Sequence, residues 1–156
     1  MNYQTIIKDD LINGEGVRCS LYVSGCSHGC RGCFNEKAWD YRSGSTFGEE
    51  QVQVILNELS KEYVAGLTLL GGDPLMPKNF DAVLGLCRKV HEMYPNKNIW
   101  CWSGYTLEEI QNNHSNEILQ YLDVLVDGKF IEEEKNLKLA FRGSNNQRVL
   151  KRGVDY

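Results

Sequence analysis

The stretch Arg18–Phe34, RCSLYVSGCSHGCRGCF, decides the fold. Arg18 to Ser24 is rich in β-formers and alternates, which predicts a strand, and three cysteines among three glycines follow directly as a loop at its carboxyl end. The pattern recurs downstream. Gly66 to Leu70 (GLTLL) is a short apolar run stopped by Gly71-Gly72, and Asn98 to Trp102 and Asp123 to Asp127 repeat it. Between the first two strands, Val52, Ile55, Leu56, Leu59 and Tyr63 fall at helical spacing behind Thr46 and Glu49, which stand as a capping box. Phe80, Val83, Leu84, Cys87 and Val90 predict a second helix, opened by Asn79 and ended before Pro95, and Thr106 with Glu109 predicts a capping box for a shorter third. Strands alternating with helices are βαβ units, hence an α/β fold with a mostly parallel sheet and right-handed crossovers. Loops leaving the carboxyl ends of such strands converge on one face. Cys26 to Cys33, Gly71 to Pro74, Trp102 to Tyr105 and Asp127 to Lys129 are therefore expected together.

Length and composition bound the rest. A chain of 156 residues is read as a single domain over 1–156, and it is too short for a complete eight-stranded α/β barrel of about 250 residues. Any barrel is partial and open. Lys plus Arg number 17 against 21 Asp plus Glu, and the net charge of −4 gives no long-range attraction to nucleic acid or anionic lipid. The longest apolar runs, Leu67 to Leu70 and Val124 to Val126, fall far short of the roughly 20 residues that span a bilayer, and the polar N-terminus is no signal peptide. The expectation is a cytoplasmic protein with reduced thiols and neither a membrane nor a nucleic-acid partner. Cys19, Cys87 and Cys101, scattered among apolar neighbours, are expected to be small buried hydrophobes.

The clustered cysteines read differently. Cys26, Cys30 and Cys33 form CxxxCxxC with Phe34 directly after, in a connection from residue 25 to 45 with little regular structure. Gly25, Gly29 and Gly32 permit the positive-φ turns that let one short loop aim three sulfurs at one centre. Three thiolates hold three irons of a 4Fe–4S cluster and leave the fourth open, whereas zinc bound by the three cysteines and His28 is the other accepted set. The residues alone leave both open. The glycines of Gly71-Gly72-Asp73-Pro74 let a ligand approach the backbone, whose peptide groups bond an amino group or a carboxylate, although an ordinary strand-to-helix turn has the same composition. Asp127 and Lys129, separated by Gly128, are placed to leave the same side of a strand. Phe34, Trp102 and Tyr105 are candidates to cover an aromatic ring, or rim packing. The polar run Arg142 to Arg148 (RGSNNQR) follows the last clear strand and suits recognition of a partner's backbone and carboxylates, or serves as a solvated loop.

Together these motifs carry a resemblance. CxxxCxxC plus an aromatic residue after a first strand is similar to the signature of the radical S-adenosylmethionine enzymes. In their order and spacing, the cysteine loop, Gly71–Pro74, Ser103-Gly104-Tyr105, Asp127–Phe130 and Arg142–Arg148 resemble, more narrowly, the glycyl-radical activating enzymes that serve anaerobic ribonucleoside-triphosphate reductase. The likeness runs from about residue 10 to 148; Phe34 stands where Tyr is common, and Asp73 where related enzymes often carry Glu. The resemblance implies a partial barrel of radical S-adenosylmethionine type and a 4Fe–4S cluster on Cys26, Cys30 and Cys33. It implies that Gly71, Gly72 and Asp73 hold the amino group of S-adenosyl-L-methionine, that Asp127 and Lys129 reach the cofactor, and that Phe34 borders it. The implied reaction is reductive cleavage to a 5′-deoxyadenosyl radical, which takes hydrogen from a glycine of the reductase's large subunit, with an electron-donor protein supplying the electron. The alternatives are a small radical S-adenosylmethionine enzyme acting on a small molecule, and a zinc-stabilised interaction domain.

Overall fold

The computed structural model describes residues 1–156 and is organised by one seven-stranded sheet. Its strands are β1 (Asn2–Asp10), β2 (Val17–Val23), β3 (Ser45–Thr46), β4 (Val64–Gly71), β5 (Asn98–Trp102), β6 (Val124–Asp127) and β7 (Arg148–Lys151), in the spatial order β3-β1-β2-β4-β5-β6-β7. The four predicted strands are β2, β4, β5 and β6, and they are parallel neighbours, with Leu21 beside Leu69, Leu69 beside Cys101 and Cys101 beside Leu125. The expectation of four strands is corrected by three more, β1, β3 and β7, which add antiparallel at the flanks and make the sheet mixed. β1 escaped the reading because its residues are half-buried or exposed until Asp10, so it shows no clear apolar alternation. The strand order is linear, and β3 and β7 are its two edges.

Three helices join these strands: α1 (Glu49–Leu59), α2 (Pro77–Met93) and α3 (Leu107–Gln111). The α3 cap is the predicted one: Glu109 N–H donates to Thr106 Oγ1 at 3.2 Å and Thr106 N–H to the Glu109 carboxylate at 2.8 Å, a device worth about 1 kcal/mol. The α1 start differs from expectation. Thr46 lies in β3, Gly48 is the cap residue, its N–H donates to Gln51 Oε1 at 2.8 Å, and Tyr63 lies beyond the helix. α2 begins at Pro77, whose fixed φ suits a first helical position, so Asn79 is inside the helix. The Asn79 side chain instead donates to the carbonyls of Ser24 (3.0 Å) and Asp73 (3.1 Å), fastening two loops to the helix.

The two faces of the sheet differ. Cys19, Leu21, Val23, Leu67, Leu69, Ile99, Cys101 and Leu125 form one apolar cluster with Ile55, Leu56 and Leu59 of α1 and Phe80, Val83, Leu84 and Cys87 of α2. Each fully buried leucine there contributes about 1.5 to 3 kcal/mol. Cys19, Cys87 and Cys101 are buried as expected, and burial pushes the Cys19 and Cys87 thiols up to about 12. On the other face, Arg18 is fully buried beneath the Trp100 ring, 5.4 Å from its centre. Its Nε donates to Thr68 Oγ1 at 2.6 Å and its Nη2 to the Leu67 carbonyl at 2.9 Å. Desolvation lowers this guanidinium to about 10. The hydroxyl of Thr68 donates in turn to the Asn13 carbonyl at 2.7 Å, and Asn13 Nδ2 donates to Asp10 at 2.7 Å and to Tyr22 Oη at 2.8 Å. This polar chain is the floor beneath the site.

Candidate functional site

At the carboxyl ends of the parallel strands the cysteine loop takes the predicted backbone form. Gly25, Gly29 and Gly32 have φ of +104°, +64° and +75°. A Cβ at Gly25 would stand 2.1 Å from the Tyr41 ring, so no other residue fits there. Cys26, Cys30 and Cys33, all half-buried, line one cavity of about 590 Å³, a size usual for a cofactor site. Phe34, Gly71, Gly72, Asp73, Trp102 and Lys129 line it with them. Burial pushes the Cys26 thiol up to about 11 and raises Cys30 too, where the Phe130 N–H and the Lys129 ammonium oppose the rise. Such thiols surrender their protons to a metal, whose charge replaces the proton's.

One buried carboxylate ties the loops together. Asp73, 1% exposed, accepts from His28 Nε2 at 2.6 Å, Ser103 Oγ at 3.0 Å and Gly104 N–H at 2.9 Å on one oxygen, and from Leu75 N–H at 2.9 Å on the other. The loops after β2, β4 and β5 therefore meet on Asp73. His28 is committed to this contact and stands edge-on to Tyr105, and no three His, Cys, Asp or Glu side chains are grouped to hold a single metal ion. The zinc alternative, which required His28 as fourth ligand, loses its support. Three thiols lining one cavity are a donor set that fits a 4Fe–4S cluster, in which each sulfur takes its own iron.

The glycine-rich turn lines the cavity and has a further reason for its glycines. A Cβ at Gly72 would lie 2.5 Å from the Gly25 carbonyl oxygen, and one at Gly71, where φ is +112°, 2.4 Å from Val23 N. These glycines admit the neighbouring backbone, which Asp73 N–H secures by donating to the Gly25 carbonyl at 2.9 Å. Asp127 and Lys129 do not leave together. Lys129 lines the cavity, whereas Asp127, 1% exposed, accepts from Leu107 N–H at 2.7 Å and from Arg148 Nε at 3.1 Å. The Arg148 guanidinium also holds Glu108, and its attraction to Asp127 raises its pKa further. Arg148 is thus a strand residue of β7 in an ion-pair network, not part of a terminal loop. Tyr105 packs on His28 and Met76, while Phe34 and Trp102 do border the cavity.

Gln4, Thr5, Asn13, Tyr22 and Gln147 also line the cavity and were missed from sequence. The first two lie on β1, which gave no periodic signal. Asn13-Gly14 was a readable turn, and Gln147 was named only within its polar run, where it donates to the Gly128 carbonyl at 2.9 Å.

Comparison with known proteins agrees with this geometry. The family model described as "4Fe-4S single cluster domain" matches residues 12–150. The anaerobic ribonucleoside-triphosphate reductase-activating protein of Haemophilus influenzae is 46% identical over 149 residues, covering 94% of this chain and 96% of the relative. Proteins of the same name from Vibrio cholerae (45% over 149 residues, 94% and 96%) and Escherichia coli (41% over 151 residues, 96% and 97%) are similar along the same extent.

Proposed function

This chain belongs to the 4Fe-4S single cluster domain family and, within it, to the anaerobic ribonucleoside-triphosphate reductase-activating proteins; from that premise we propose that it generates a glycyl radical on the large subunit of that reductase. The observation that carries the reading is the shared cavity of Cys26, Cys30 and Cys33 at the carboxyl ends of parallel strands, closed on one side by the Asp73 network. Held by Cys26, Cys30 and Cys33, a 4Fe–4S cluster would supply the one-electron reduction by which S-adenosyl-L-methionine is cleaved and the reductase glycine loses a hydrogen atom. The three cysteines hold the cluster in this reading. Peptide groups of the Gly71–Asp73 turn and Lys129 bind the polar end of the cofactor, and Phe34 and Trp102 border its ring. Asp73 and Asp127 act as positioning residues, since their carboxylates are taken up by the protein's own donors. The floor of Arg18, Thr68, Asn13 and Asp10 keeps the opposite wall rigid.

The open sheet serves as a partial barrel of radical S-adenosylmethionine type within one domain over residues 1–156, and the reductase closes its open side. An electron-donor protein of the cytoplasm reduces the cluster. No helix is long and apolar enough to cross a membrane, and nothing in the reading calls for nucleic acid. The test is anaerobic reconstitution with iron and sulfide, then dithionite, S-adenosyl-L-methionine and the reductase. About four irons and four sulfides per chain and a glycyl signal in electron paramagnetic resonance are expected, and a colourless zinc protein would sink the reading.

A further inference from the structure

Beside the cysteine cavity lies a second one of about 380 Å³, and the two share Asn13, Phe34, Trp102, Phe130 and Gln147 in their walls. Its rim is apolar and open: Leu137 is 82% exposed, Ile12 79% and Phe34 67%. Apolar side chains gathered exposed around a cavity mark a binding surface. A single charged side chain enters the lining, that of Arg142.

Arg142 is unlike the other arginines. Of the seven in the chain, five pair with carboxylates, and Arg18 is fully buried among neutral acceptors. Arg142 has no carboxylate within 4 Å. Its Nη1 donates to the Gln147 carbonyl at 2.9 Å, which fixes the guanidinium plane, while its Nε is buried without a partner. A planar fork fixed by one carbonyl and free of any carboxylate partner is matched to a carboxylate. The Lys135 ammonium stands 5.4 Å from the Phe34 ring; of the three glutamates before it, Glu132 and Glu133 are taken by Arg31 and Glu134 forms no ion pair.

Resting on the function proposed above, we infer that this second cavity docks an apolar, carboxylate-bearing segment of the reductase's large subunit. An apolar side chain of that segment fills the groove against Leu137 and Ile12, and its carboxylate pairs with Arg142. Continuity between the cavities lets the docked segment lead its chain toward the cysteine loop. Docking and cofactor cleavage are thereby assigned to adjacent but separate surfaces.

The experiment measures anaerobic binding of the reconstituted protein to the full-length large subunit by calorimetry, with dithionite-driven S-adenosyl-L-methionine cleavage in the absence of the subunit as a second readout. Arg142→Gln and Leu137→Ser are each expected to weaken binding about tenfold and to leave uncoupled cleavage unchanged. Arg142→Lys should recover part of the loss, and the Arg142 contribution should shrink as salt rises. Leu137 is exposed, so its replacement does not threaten folding. Unchanged binding in both Arg142→Gln and Leu137→Ser overturns the inference, and so does loss of uncoupled cleavage in Arg142→Gln, which would move Arg142 into the cofactor site. A wild-type protein that raises no radical on the subunit overturns the functional reading and the docking with it. Normal wild-type coupling with unaffected variants overturns the docking alone.

Discussion

Cys19, Leu21 and Val23 of β2 are buried in the apolar cluster under α1 and α2, whereas Arg18 and Ser20, on alternate positions of the same strand, are buried in hydrogen bonds. The two faces are specified by different physics. On the first, volume and hydrophobicity suffice, and shape-conserving exchanges are tolerated. On the second, Arg18, Thr68, Asn13, Asp10 and Ser20 each have a named partner, Asn98 Oδ1 being a buried oxygen without one, and removing a partner leaves another group orphaned in a dry place. The cavity lined by the cysteine loop, Tyr22 and Trp102 opens at the end of the second face. Substitutions on the helix-packed face should therefore lower stability and spare activity, while those around the cysteine loop should do the reverse.

The largest expected effect lies at the loop. Replacing Cys26, Cys30 or Cys33 with Ala should abolish S-adenosyl-L-methionine cleavage and leave iron and sulfide below the wild-type content. Unfolding of the metal-free protein should move by no more than about 0.5 kcal/mol, because these residues lie in an irregular loop outside the apolar cluster. A large loss of metal-free stability would break the division between the faces.

Asp73→Asn joins the two kinds of effect and comes next. The amide keeps the shape, but its nitrogen must face either the donors at Oδ2 or the Leu75 N–H at Oδ1, so at least one donor loses its acceptor. About 3 kcal/mol of stability should be lost, together with cofactor cleavage, as the loops after β2, β4 and β5 come apart. Denaturant unfolding of the metal-free variant reads the first quantity and product formation the second. A variant that unfolds like wild type would show that Asp73 does not hold the loops.

How much was legible follows the same boundary. The helix-packed face was readable because Leu67, Leu69, Ile99 and Leu125 repeat a period that only burial explains. The cysteine loop was readable because three glycines and three thiols have few other uses in so short a run. The other face was not. Arg18 resembles any surface arginine in sequence, and its burial depends on Thr68, Leu67 and Trp100, some fifty and eighty residues away. Asp127 and Lys129 were expected side by side because strand alternation was applied across Gly128, whose φ of +95° turns the chain there. Gly71 and Gly72 were picked out for the approach of a ligand; they line the cavity, and backbone of the cysteine loop and its strand also stands against them.

Cys101→Ala tests the buried thiols. Cys101 is fully buried in the apolar cluster and does not line the cavity of Cys26, Cys30 and Cys33, so in the proposed function it is not a ligand. The expected result is a loss of about 1 kcal/mol with full iron content and full cleavage. Loss of the cluster from a folded Cys101→Ala protein would place a fourth sulfur in the site and end the separation of the two cysteine sets.

The smallest effect concerns Asp10, which anchors the polar floor from the end of β1. One carboxylate oxygen accepts from Ile12 N–H at 2.9 Å, and the other from Asn13 Nδ2 at 2.7 Å and Ser20 Oγ at 2.6 Å. Burial by itself pushes this carboxyl up, but the donors of Ser20, Ile12 and Asn13 together outweigh it and leave the group below its ordinary value of 3.8. A carboxyl depressed on folding contributes stability that is complete above its unfolded pKa and is lost as pH falls through the folded one. In Asp10→Asn the amide nitrogen faces the Asn13 donor and accepts nothing. The variant should be less stable than wild type by about 1 kcal/mol at pH 7. That gap should narrow below about pH 4 and continue closing toward pH 2, as wild type loses the same carboxylate. Urea midpoints at pH 7 and along this acid range measure it. A gap that stays constant would mean that Asp10 holds Asn13 by shape alone, and that the floor beneath the site depends on fit and not on charge.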